Sequence, residues 1–187
     1  MFFTRRGDDG YTDLIGGERI AKDDLRIAVL GDVDEASSAI GVARATATQG
    51  DTKLALLQVQ KELYLLMADV ATVAGRMAGT QRLTAEAVTA LEAVIADFDG
   101  RVAIAKQFVA TGDTLAGAQL DLARAIVRRA ERTITHLFHR GPDEGAHATM
   151  VIYLNRLSSL LFGLARYEDN AAGVQPTISK TIEDGHK

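Results

Sequence analysis

The chain has 187 residues, 47% of them hydrophobic and 25% charged, with a formal net charge of -4. That length and mixture describe one soluble globular domain, and the mild acidity supplies no broad positive field for nucleic acid. Cysteine is absent, which excludes disulfides, thiolate metal sites and a cysteine nucleophile.

The opening Met1-Phe2-Phe3-Thr4-Arg5-Arg6 lacks the apolar run of a signal peptide. Residues 1–24 hold Gly7, Gly10, Gly16 and Gly17 among charges with no helical period, and read as an ordered loop or mobile arm. A first helix is expected over 33–48, with Asp32 as its N-cap and Ala36, Ala39, Ile40 and Ala43 inward. A second is expected over 52–78. Its stretch 63–74 is the most apolar of the chain but carries Asp69 and falls short of the ~20 residues a membrane span needs. We therefore expect a cytoplasmic protein without membrane contact.

A third helix over 84–99 places Val88, Leu91, Ile95 and Phe98 on one stripe, with Thr84 as N-cap and Gly100 at its end. Residues 101–113 form a connector. The fourth helix, 114–139, steps by three or four through Leu115, Ala118, Leu122, Ile126, Ala130, Ile134 and Leu137 until Gly141-Pro142 stops it. The fifth, 147–170, turns Val151, Leu154, Leu157, Leu161 and Leu164 inward, and 171–187 reads as a loose tail. With no convincing strand pattern, the fold class is all-α: one domain over 1–187, divided into an arm (1–24), a five-helix up-and-down bundle (25–170) and the tail.

Candidate chemistry lies off the apolar stripes. On the fourth helix Asp121, Arg124, Arg128, Glu131 and Arg132 recur at three- and four-residue spacing and share a face, with Arg129 nearby. Such guanidiniums can clamp a polyphosphate; a solvated face stitched by ion pairs gives the same pattern. On the fifth helix Asn155, Ser159, Phe162 and Arg166 form a semi-polar stripe, suited to a structural network or a ligand contact alike. In the arm, Thr4, Gly7, Asp8, Gly10, Thr12 and Lys22 combine close backbone approach with charge, although no P-loop pattern occurs. His136 and His139 suit a helix end better than a metal. The lone Glu144–His147 pair is too little for a di-iron site.

Four separated motifs resemble those of PduO-type ATP:cob(I)alamin adenosyltransferases. They are Thr4-Arg5-Arg6-Gly7-Asp8-Asp9-Gly10-Tyr11-Thr12 with Ile15-Gly16-Gly17-Glu18-Arg19 and Lys22-Asp23-Asp24; Gly31-Asp32-Val33-Asp34-Glu35; Arg128-Arg129-Ala130-Glu131-Arg132; and Tyr153-Leu154-Asn155-Arg156-Leu157-Ser158 with Leu164-Ala165-Arg166-Tyr167-Glu168. The resemblance implies a homotrimer of five-helix bundles with active sites between subunits. It implies that Thr4, Gly7, Asp8, Gly10, Thr12 and Lys22 wrap ATP, while Arg128, Glu131 and Asn155 of the adjoining chain position triphosphate and nucleoside. Asp34 would pair with Arg124 of the next subunit beside the corrin. Phe108 would be the aromatic that displaces the lower axial ligand and leaves cobalt four-coordinate.

The implied reaction moves the 5′-deoxyadenosyl group of ATP onto the cobalt of cob(I)alamin and expels triphosphate. Arg128, Glu131 and Phe108 carry it, and a Mg²⁺ ion accompanies ATP with no side chain assigned as its ligand. A flavin-type reductase and an adenosylcobalamin-dependent enzyme are the implied partners. Two departures stand out: Thr111-Gly112-Asp113 where the family reads Pro-Gly-Gly, and Ser158-Ser159 where it favours Ser-Asp. The first leaves room for a second reading, a corrinoid carrier or sensor that binds without turnover.

Overall fold

The computed structural model describes residues 3–72, 82–102, 107–140 and 148–180. In chain order the elements are β1 (Tyr11–Asp13), β2 (Arg19–Ala21), α1 (Leu25–Thr46), α2 (Gly50–Val70), α3 (Ala85–Asp99), β3 (Phe108–Val109), α4 (Leu115–Arg140), α5 (Ala148–Ala171) and β4 (Ile178–Lys180). Among the described residues these make the expected five-helix bundle. Helix α4 packs against α1 and α5, α2 lies on α1, and α3 lies on α5.

Helix α1 starts earlier than its sequence pattern predicts. Asp24, not Asp32, is the N-cap, accepting a hydrogen bond from the Arg26 amide at 2.8 Å. Gly31 costs about 1 kcal/mol in a helix interior, but Val29 and Val33 on either side are fully buried and outweigh it. Asp32 instead faces α4, where it accepts a 2.5 Å bond from the Thr133 hydroxyl and sits 3.5 Å from Arg129.

Both ends of α2 are tied by charged side chains from other helices. Glu168 of α5 accepts the Thr48 amide (2.8 Å), the Thr48 hydroxyl (2.6 Å) and the Gln49 amide (3.1 Å), satisfying N–H groups ahead of the helix start. At the other end buried Arg26 donates to the carbonyls of Val70 (2.8 Å) and Thr72 (3.0 Å). The helix was expected to run to 78; it ends at Val70, and residues 73–81 lie outside the described ones. Asp69, in the apolar stretch, is buried and accepts the backbone amides of Arg82 and Leu83. Tyr64, in the same stretch, is exposed.

The core runs along α5, where Leu154, Leu157, Leu161 and Leu164 are fully buried, each contributing about 1.5–3 kcal/mol. By length and composition α5 would cross a membrane. Here its apolar side packs against the other helices, and it carries buried Arg166, Glu168 and Asp169. Buried Tyr153 donates to Glu62 at 2.5 Å, and burial followed by this carboxylate pushes its hydroxyl pKa up. On α4 the inward stripe is Ala116, Leu120, Ala123, Val127, Ala130, Ile134 and Leu137. Leu115 and Leu122, expected inward, are exposed, because small Ala and Val side chains let α4 approach its neighbours on an adjacent stripe.

The absence of strands was not borne out. Strands β1 and β2 form an antiparallel hairpin (Tyr11↔Ala21, Thr12↔Ile20, Asp13↔Arg19). Strand β4, inside what reads as a loose tail, pairs antiparallel with β3 (Phe108↔Lys180, Val109↔Ile178). These ladders are two or three residues long, too short for a period-two pattern to show.

Candidate functional site

The glycine-rich arm folds on itself. Gly16 (φ 112°) and Gly17 (φ 89°) make the reversal between β1 and β2, where a side chain would strain the backbone. Asp9 and Arg19 pair at 2.5 Å, and Arg6 and Asp13 at 3.3 Å. Lys22 donates its ammonium to the Gly7 carbonyl at 2.7 Å, and its amide bonds the Gly10 carbonyl at 2.9 Å. A Cβ at Gly7 would stand 2.8 Å from that ammonium, so the lysine's far end would have to shift. Thr4 and Asp8 are exposed and Thr12 half-buried, leaving this edge open to a ligand. Buried Leu14 and the Ile15 amide, bonded to the Ala71 carbonyl at 2.8 Å, fasten the hairpin to the end of α2.

The second cluster spans α4 and α5. Arg128 is exposed. Three residues along the same face, Glu131 accepts the Asn155 side-chain amide at 2.9 Å. The Asn155 carbonyl in turn accepts Arg156 at 2.9 Å, and Arg156 pairs with Glu92 of α3 at 2.7 Å. Arg124 and Arg128 line a cavity of about 330 Å³ whose other walls include Phe98, Val102, Ser159 and Phe162. A mixed wall of guanidiniums and rings suits a ligand with an anionic end and a broad apolar body. Just past the end of α3, the Arg101 guanidinium lies 4.9 Å from the Phe98 ring and 4.8 Å from the Tyr167 ring, bonded to Asp51 and Asp97.

The predicted charged face of α4 proves to be divided. Asp121 is buried, accepting Arg166 at 2.7 Å and Arg124 at 3.3 Å. Arg166 also bonds Asp169 at 3.1 Å and lies 5.4 Å from the Phe162 ring. Asp169 accepts the Thr114 hydroxyl at 2.7 Å, and that oxygen caps α4 by accepting the Gly117 amide at 2.9 Å. Thus Arg124 is held from behind by a buried chain of ions, while Arg129 turns away to Glu35 and Asp32 of α1. Arg128 and exposed Arg132 are left facing outward.

Asp34 is exposed on α1. Within one chain Arg124 pairs with Asp121, and among the described residues no ion pair joins it to Asp34. Phe108 is 68% exposed on β3. Among the described residues the arm's hydrogen bonds run to itself and to the end of α2, not to Arg128, Glu131 or Asn155. Within one chain the arm and the α4–α5 cluster are therefore two separate groups of residues. His136 and His139 are exposed, and Glu144 and His147 lie outside the described residues.

Sequence reasoning missed Asp169 and Glu168 as organisers. The Arg166–Asp169 spacing of three was the available signal for the first; for the second there was none, because its partners are 120 and 119 residues away.

Together these features define a helical bundle with guanidiniums at the wall of a cavity of mixed polar and apolar lining, and a separate glycine-lined arm. A family model for cobalamin adenosyltransferases matches residues 2–168, and the chain belongs to that family. It is 38% identical over 173 residues to a corrinoid adenosyltransferase of Citrobacter freundii, covering 92% of this chain and 97% of that one. A corrinoid adenosyltransferase of Bacillus subtilis is 36% identical over 176 residues, covering 92% and 88%. A phenylalanine-to-alanine variant of a PduO-type ATP:corrinoid adenosyltransferase from Lactobacillus reuteri, complexed with cobalamin and ATP, superposes with a TM-score of 0.86. It is 29% identical and covers 97% of this chain and 100% of that one.

Proposed function

We infer that this chain transfers the 5′-deoxyadenosyl group of ATP to the cobalt of cob(I)alamin, forming adenosylcobalamin and triphosphate. The observation that carries the reading is family membership over nearly the whole chain, joined to a cavity in which Arg124 and Arg128 face Phe98 and Phe162. The cobalt electron pair forms the Co–C bond at the 5′ carbon while the C–O bond breaks and its electrons leave with the triphosphate. The corrinoid supplies the nucleophile; the protein supplies orientation and charge.

Arg128 is proposed to hold the triphosphate with its free guanidinium fork. Glu131 and Asn155, bonded to one another, position the nucleoside side. Thr4, Gly7, Asp8, Gly10, Thr12 and Lys22 close over ATP from a neighbouring subunit, which accounts for two half-sites that do not meet within one chain. Exposed Leu115 and Leu122, one above the other on α4, offer apolar surface for that neighbour, consistent with a homotrimer in which Asp34 pairs with Arg124 of the next subunit. Phe108 stands on the corrinoid side. Among the described residues no group of three or more His, Cys, Asp or Glu is arranged to hold a metal ion. Mg²⁺ is proposed to travel with ATP, where it neutralises charge on the leaving triphosphate. We place the protein in the cytoplasm, beside a flavin-type reductase and an adenosylcobalamin-dependent enzyme.

The test is to mix the protein with ATP, Mg²⁺ and chemically reduced cob(I)alamin and follow the visible spectrum. The expected result is a light-sensitive alkylcobalamin with stoichiometric triphosphate. A bound corrinoid that never acquires the alkyl spectrum would overturn the reading in favour of a carrier.

A further inference from the structure

The stretch Thr111-Gly112-Asp113, where the sequence leaves the family pattern, is the point at which three parts of the molecule meet. Gly112 turns the chain at φ 113°. Asp113 then accepts two hydrogen bonds from a single residue of the C-terminal segment: the Thr177 amide at 3.0 Å and the Thr177 hydroxyl at 2.6 Å. From the same residue the Thr177 carbonyl accepts the Ala110 amide at 2.7 Å. Two residues on, the Ser179 hydroxyl donates to the Phe108 carbonyl at 3.0 Å. The next residue, Thr114, caps α4 and bonds Asp169.

Phe108 has little packing of its own, being 68% exposed. Where its ring stands is thus decided by the backbone that carries it, and that backbone is bonded to residues 177–179. We propose that Asp113 and Thr177 are positioning residues for the corrinoid: their paired hydrogen bonds clasp the C-terminal segment against β3 and so set where Phe108 stands. This rests on the reading that Phe108 faces the corrinoid. The Thr177 hydroxyl, then the Thr177 amide, hold the Asp113 carboxyl below the usual carboxylate range, so the pairing favours its ionised form.

Asp113→Ala and Thr177→Val are made in the full chain, alongside Thr177→Ser and Phe108→Ala. Steady-state rates are measured against cobalamin and ATP separately, together with thermal unfolding and the spectrum of bound Co(II) corrinoid. Asp113→Ala and Thr177→Val are expected to raise KM for cobalamin about tenfold, the scale of one lost charge-assisted hydrogen bond. They should also lower the four-coordinate Co(II) fraction, with KM for ATP and the unfolding midpoint unmoved and Thr177→Ser close to the parent. Parent-like cobalamin kinetics and Co(II) spectra in both variants, with Phe108→Ala impaired, overturn the clasp alone. Equal losses for ATP and cobalamin also overturn it, since they report general loosening. If Phe108→Ala itself turns over cobalamin like the parent, the corrinoid-side reading of Phe108 falls and the clasp with it.

Discussion

Asn155 donates its side-chain amide to Glu131 at 2.9 Å, joining α5 to α4 one helical turn beyond Arg128. Arg128, three residues earlier on the same face of α4, is exposed. Its guanidinium stays available to an anion.

Arg128→Ala should therefore abolish adenosylation while leaving the fold intact. Arg128 is exposed, and losing one donor to developing negative charge costs about 10²–10³ in kcat. Asn155→Ala should act more mildly, raising KM for ATP about tenfold. Circular dichroism and steady-state kinetics of both variants check this; full activity in Arg128→Ala would sink the assignment of the triphosphate site.

The buried ions behind Arg124 should matter to stability. Arg166→Met keeps volume but leaves Asp121 and Asp169, both buried, without their shared cation. Breaking a buried ion pair from one side costs about 3–5 kcal/mol. Urea unfolding monitored by circular dichroism should show that loss; a change below about 1 kcal/mol would mean that water or Arg124 replaces the guanidinium.

Replacing a helical glycine by alanine usually stabilises by about 1 kcal/mol. Gly117→Ala should do the reverse. A Cβ there would collide with the Asp169 carboxylate, displacing the acceptor of both Thr114 and Arg166. Destabilisation of about 1–3 kcal/mol is expected from such overpacking, read as a lowered unfolding midpoint. A stabilised variant would show that Asp169 moves aside freely.

Acid should loosen the start of α2 through Glu168. Desolvation by itself raises this carboxyl, but the bonds from Thr48 and Gln49 outweigh it and leave the pKa below the ordinary 4.5. The sign follows: the folded state holds the ionised form more tightly, so this stabilisation is complete above the unfolded value and fades as pH falls through the lowered folded one. The stability gap between the parent and Glu168→Gln should be constant above about pH 5.5 and shrink below about pH 4.5. A gap independent of pH would mean that the capping bonds do not need the charge.

How much of this was legible in the sequence depended on distance along the chain. Five helices, the inward leucines of α5 and the shared face of Arg124, Arg128 and Glu131 all follow from the 3.6-residue period, which is local and repeats. The four ordered motifs likewise marked the family before any packing was known. Tertiary structure alone decided which charges face outward. Asp121 and Arg124 sit on one predicted face, yet Arg166 from another helix bonds the first inside, while the second stands at the cavity wall. It alone moved the start of α1 back to Asp24, where burial of Val29 and Val33 outweighs Gly31. It alone paired β3 with β4, and Asp113 with Thr177 across 64 residues. No periodicity records such pairings, because their free energy comes from two distant segments meeting and neither segment carries the signal by itself.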